Sequence, residues 1–356
     1  MKFLCRLAFL LCFATTCRAD NDFFTHFDTD DFWHKLVLEP AGTVPQLTPA
    51  DTIITVASTR RLQPGNLRFI AEEREEGALR YFLVYAQGGK WHILPQPALR
   101  NVVDALPNKN KDWVVYAEGM GKLFTTDIDR GMRLAGQYGV NVLLLDYPSI
   151  HSHYGAIKNY RFAYRNSKEV YKDFVPVLDT FRHLREAEVA GSGHLSLFFH
   201  SMGCNVMREI VQQHLLFLFN THTAPWVDNL ILNSACVPRH GSKQWIEQIN
   251  FAKRIYVNYN NEDGVLKWAR LAAFHQVLGE HPKHPAANAV FINFHTLSGQ
   301  NHSNFLSLYG RLPMQAEAQA HYQALFHGGA VDVQDGGRYR RSVYRKIGWD
   351  ILPTTR

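Results

Sequence analysis

Cysteine is nearly absent from this chain: there are five in 356 residues, and three of them (Cys5, Cys12, Cys17) fall within the first nineteen positions. The remaining two, Cys204 and Cys236, exclude a disulfide-stapled scaffold. In an oxidising compartment they have two possible fates, one disulfide or two buried thiols. Long apolar runs are missing too. Residues 7–13 are far too short for the roughly 20 residues that span a bilayer, and no other stretch approaches that length. There is no low-complexity linker and no internal repeat, so nothing marks a clean boundary between two domains. A glycine-rich phosphate loop is also lacking, because Gly119-Met120-Gly121-Lys122 fits neither phosphate-binding spacing. No cofactor is expected. No metal is expected either, since His151/His153 and His281/His284 fall in predicted loops without a carboxylate or Cys at ligand spacing.

What is present begins with a bacterial-type secretion signal: Lys2 and Arg6, an apolar core at 7–13, then Cys17-Arg18-Ala19 as a cleavage site. This predicts a periplasmic or secreted protein. Removing residues 1–19 takes away Lys2, Arg6 and Arg18 and lowers the formal charge from +6 to +3, which argues against a nucleic-acid partner. No integral membrane segment is expected after that removal. Residues 20–110 read as an N-terminal extension with the first strands, 111–310 as the core and 311–356 as a C-terminal extension.

The core alternates short apolar runs with long amphipathic ones. Strands are predicted at 52–58, 80–87, 113–117, 141–145, 195–199, 230–233, 254–258 and 290–296. Helices are predicted at 126–138, 168–187 and 205–219. That alternation implies an α/β fold with a mostly parallel sheet covered by helices on both faces. Reactive residues of such sheets gather at the carboxyl ends of the strands. Residues 150–164, rich in Tyr and His, sit where a lid or pocket wall would insert. Residues 331–344 suggest a hairpin around an Asp-Gly turn, with an arginine-rich edge strand.

One strand end carries a nucleophile signature. The run 195–199 leads directly into His200-Ser201-Met202-Gly203 and then a helix, the order of a nucleophile elbow, whose strained turn holds the serine clear of the backbone. Phe199 occupies a position that is usually small and should crowd the turn. Beyond the strand at 254–258 lies Asp263, with Glu262 as the rival acid, and beyond the last strand lies His302. Ser201, Asp263 and His302 follow the chain order Ser, acid, His. The serine needs the imidazole to take its proton, and the acid fixes the tautomer. Oxyanion donors are expected from the N–H of Met202 and, on the loop after 113–117, from Met120 or Gly119. On the same loop Glu118 is expected to pair with Lys122 or Arg130, and Glu118 and Tyr147 are candidate pocket residues.

These motifs together resemble the α/β-hydrolase superfamily. They are most similar to a bacterial hydrolase group of unknown function with a His-Ser-Met-Gly elbow. Residues 114–121, Leu145-Asp146-Tyr147-Pro148, the elbow, Asn261-Glu262-Asp263-Gly264-Val265 and Gln300-Asn301-His302-Ser303 carry the likeness. It implies an α/β-hydrolase fold and a cofactor-free serine hydrolase acting on small-molecule esters or thioesters, with amides as the alternative. A catalytically inactive binding protein on the same fold is the reading from a different class.

Overall fold

The computed structural model describes residues 26–220, 224–308 and 313–354; the secretion signal expected at 1–19 lies outside them. Fourteen strands are described: β1 (Leu36–Leu38), β2 (Ile53–Ser58), β3 (Arg60–Leu62), β4 (Ile70–Arg74), β5 (Arg80–Gln87), β6 (Lys90–Gln96), β7 (Trp113–Ala117), β8 (Asn141–Asp146), β9 (Leu195–His200), β10 (Val227–Asn233), β11 (Ala252–Tyr259), β12 (Ala289–Asn293), β13 (Tyr339–Arg341) and β14 (Trp349–Ile351). Strands β3 and β4 form a separate ribbon. The other twelve make one sheet, in the order β1-β6-β5-β2-β8-β7-β9-β10-β11-β12-β14-β13. From β2 to β14 in that order every neighbouring pair is parallel, and the antiparallel pairs lie outside this block. The protein is therefore mixed α/β with a large, mostly parallel central sheet.

Parallel central strands bury both faces, so they read as continuous apolar runs whose alternate residues enter opposite layers. Trp113, Val115 and Ala117 of β7 join Leu197 and Phe199 of β9 in one core. That layer also takes Val177 and Phe181 of the helix Tyr171–Glu186 and Val206 and Ile210 of the helix Cys204–Gln212. Val114, Tyr116 and Phe198 enter the other layer with Ile128 of the helix Phe124–Tyr138 and Tyr322 of the helix Ala316–Phe326.

The stretch after residue 311 completes this second layer and widens the sheet. Leu325 O accepts from Ser196 Oγ of β9 at 2.7 Å and from Asn229 Nδ2 of β10 at 2.7 Å. The hairpin expected at the Asp-Gly turn is not formed. Instead β13 pairs antiparallel with β14 across residues 342–348, since Asp335 is spent on a turn, accepting Gly337 N at 3.0 Å. The lid region differs as well: after a loop at 147–155 the chain forms the helix Ala156–Glu169, anchored by Asn166 Nδ2 to Pro148 O and by Asn205 Nδ2 to Ser167 Oγ. No helix among the described residues is long and apolar enough to cross a membrane.

Candidate active site

Strand β9 delivers Ser201 at its carboxyl end, and Ser201 adopts φ +52°, a left-handed conformation that an L-residue occupies at a cost of about 1–2 kcal/mol. A turn Ser201–Gly203 then leads into the helix Cys204–Gln212. Gly203 is required by space: a Cβ there would stand 2.5 Å from Ala117 O. Gly119 is required likewise, because its Cβ would fall 2.5 Å from the Cβ of Ser201 and 3.1 Å from Met202 N. The strained serine is thus wedged between the end of β9 and the loop after β7. Phe199 fits because its cross-strand neighbour on β7 is Ala117, and its side chain enters the core away from the turn.

The acid and the base arrive from β11 and β12. Asp263 is buried and works twice: Oδ1 accepts Leu266 N at 2.9 Å as the N-cap of the helix Gly264–Ala273, and Oδ2 accepts His302 Nδ1 at 2.7 Å. Glu262, the rival, is solvent-exposed and makes no bond to His302. Asn260 clamps the two loops, with Nδ2 donating to Gly299 O at 2.8 Å and Asn301 O at 3.2 Å. Among the described residues no hydrogen bond joins Ser201 Oγ to His302; the loops approach through His200, whose ring centroid lies 4.6 Å from that of His302. His302 O is in turn held by Ser234 Oγ at the end of β10, 3.3 Å away.

Glu118 departs from the pocket role expected of it. It is 2% exposed and is neither beside solvent nor in a pocket. Its carboxylate accepts from Arg130 Nη1 at 2.6 Å, from its neighbour Gly119 N at 2.8 Å and from Tyr116 Oη, and contacts His200 Nδ1 at 2.6 Å. Burial by itself would raise the carboxyl, but Arg130, His200 and Lys122 outweigh it and hold it well below the usual carboxylate range. The Arg130 pairing is one of the two expected. Burial likewise lowers His200 to about 4 against the pull of Glu118, so the ring is neutral near pH 7 and donates from Nδ1 to the carboxylate.

Two expectations change in consequence. Gly119 N–H is committed to Glu118 and is removed from the oxyanion donors, which leaves Met120 and Met202. Tyr147 is also no pocket wall: it is buried, and its Oη donates to Glu118 O at 2.9 Å, fastening the loop to β8. Arg60, fully buried, adds a second tie. Its Nε reaches Asp146 at 2.9 Å, and its Nη2 donates to Lys122 O and Tyr147 O.

Next to Ser201 in the chain, Met202 joins Cys236, Ala163, Leu266, Ala269 and Val277 in a small apolar cluster against which Met120, Tyr160 and Tyr164 pack. Cys204 and Cys236 are free and buried. Burial pushes both thiols up, Cys236 to about 12 with help from the Asp263 charge, so they serve as small apolar fillers.

Sequence reasoning gave no role to His200, Tyr116 or Asn260. The first two were traceable, because Tyr116 pairs with Phe198, and the next same-face positions of β7 and β9 are Glu118 and His200. No family model, no curated protein and no solved structure matches this chain.

Proposed function

We propose that this chain is an exported serine hydrolase of the α/β-hydrolase type that cleaves carboxylic esters or thioesters through an acyl-enzyme. The observation that carries the reading is a strained, left-handed Ser201 at the end of a central parallel strand, with an Asp263–His302 pair held beyond the ends of β11 and β12 in the same sheet. Other residues of this chain also adopt positive φ, Ser234 among them, so it is the strained serine together with the Asp263–His302 pair that supports a nucleophile. In the reaction Ser201 Oγ attacks the acyl carbon while His302 Nε2 takes its proton. His302 then returns the proton to the departing alcohol or thiol, and water repeats the sequence to release the acid. Asp263 keeps Nδ1–H as the donor and offsets the imidazolium charge. The N–H groups of Met202 and Met120 receive the oxyanion.

The second reading, a binding protein on this fold, draws on the missing hydrogen bond between Ser201 and His302. Catalytic bonds are often loose without substrate, so the first reading is preferred. A fluorophosphonate probe separates them. Labelling of the purified chain that disappears in Ser201→Ala and His302→Ala supports the hydrolase, and no labelling of the folded parent overturns it. A panel of activated esters, thioesters and anilides then sorts the leaving group.

A further inference from the structure

The helix Gly264–Ala273 has an unusual composition for its position. Apart from Gly264, its only residues that are not apolar are Lys267 and Arg270, yet only Leu266 and Ala269 are buried. Opposite the side that carries Lys267 and Arg270, the apolar arc is wide, and an arc of this kind is normally covered. Here Val265 is 42% exposed, Leu271 40% and the following Phe274 96%. Phe274 also sits at φ +57°, a left-handed conformation rare for a bulky residue, so the backbone bears strain while an entire aromatic ring is presented to solvent. Across the same apolar cluster, the helix Ala156–Glu169 continues its Tyr160 and Tyr164 stripe one turn outward to Ile157, 58% exposed.

The charges around this rim are mostly positive. Half-buried Lys267 is joined by exposed Lys283 and, on the facing helix, by exposed Lys158, Arg161 and Arg165, while Arg270 is paired with the buried Glu280 at 3.4 Å. Of the acids near the first helix, Asp263 and Glu280 are fully buried, which leaves Glu262 exposed at its start. An apolar ridge flanked by cations complements an anionic amphiphilic surface, where rings and aliphatic tips enter the acyl boundary and Lys or Arg stems reach back to the headgroups.

We infer that Gly264–Ala273, with Phe274 as its tip, is an interfacial element that docks this face on an anionic lipid surface. The docked helix is capped by Asp263, the residue that holds His302, so binding presents the proposed active site directly to membrane-borne acyl groups. Docking itself needs no turnover by Ser201.

The test uses the full chain with Ser201→Ala, sedimented with vesicles of phosphatidylcholine alone or with roughly one-third phosphatidylglycerol. Expected is co-sedimentation with the anionic vesicles, weakened about tenfold or more by Phe274→Asp and by Val265→Asp. Lys267→Glu should weaken binding to anionic vesicles and leave any residual binding to neutral ones unchanged. These exposed substitutions are checked for folding by circular dichroism. Absence of vesicle binding, or binding indifferent to Phe274→Asp, overturns the inference. So does a concentration-dependent dimer that Phe274→Asp abolishes without any vesicle binding, which assigns the face to a second copy. Vesicle binding by a chain that no fluorophosphonate labels retains the docking surface and removes the hydrolase reading.

Discussion

Glu118→Gln tests the buried network beneath the proposed active site. Gln keeps the volume and one carbonyl oxygen, so Gly119 N–H and His200 Nδ1–H retain an acceptor. What is lost is the charge facing Arg130, whose Nη1 stands 2.6 Å from the carboxylate and whose side chain is 5% exposed. At an effective dielectric of about 20, unit charges about 4 Å apart attract by roughly 4 kcal/mol. Removing one partner of a buried pair costs about 3–5 kcal/mol, because the other charge is left without compensation. The amide –NH₂ also faces Arg130 and Tyr116 Oη, a donor set against donors. For a domain of this size we expect a loss of roughly 3–5 kcal/mol and a fall in Tm of about 6–15 °C. Urea unfolding at pH 7, followed by tryptophan fluorescence, reads the change. The double variant Glu118→Gln, Arg130→Met should recover much of the loss, since no buried charge is then orphaned and the Gln carbonyl still accepts from Gly119 N–H and His200. A Glu118→Gln variant within about 1 kcal/mol of the parent would refute the charged pair and with it the account of this loop.

Three further outcomes follow from the geometry. Gly119→Ala should fold but lose at least about 100-fold in fluorophosphonate labelling, because its Cβ would displace Ser201, 2.5 Å away; undiminished labelling would show that the loop can yield. Ser201→Gly should raise stability by about 1 kcal/mol in urea unfolding, since glycine relieves the positive φ, and a destabilised variant would argue against strain there. His200 and His321 are buried with pKa lowered to about 4 and about 3, mainly by burial, so the unfolded chain binds more protons below its histidine value near 6.5. Their contribution is complete above about pH 6.5 and drains away as pH falls toward 4, by about 3 kcal/mol for His200. Urea midpoints at pH 7.5, 5.5 and 4.5 should show this decline, and His321→Asn should flatten it; a slope unchanged by that variant would exclude His321 as a source.

What could be read from the sequence depended on whether a signal was local. Strands β5 and β7 are found at the predicted boundaries, because runs such as Trp113–Ala117 are apolar on both faces and carry their own marker. The pairing of Asp263 with His302 was also legible, as two short polar loops at successive strand ends. The helix Gly264–Ala273 was not. It is only ten residues long, and apolar Val265 and Leu271 lie exposed beside its buried Leu266 and Ala269, so a search for long apolar stripes passes over it. Phe199 was misjudged for a related reason: it was compared with the residue usual at its position, while its cost is set by a neighbour on another strand. Phe199 is admitted by Ala117 beside it in the sheet register, and Glu118 is admitted by His200, one same-face step beyond the Tyr116–Phe198 pair. Both compensations run between β7 and β9, so the two departures on either side of Ser201 are coupled features of one strand pair.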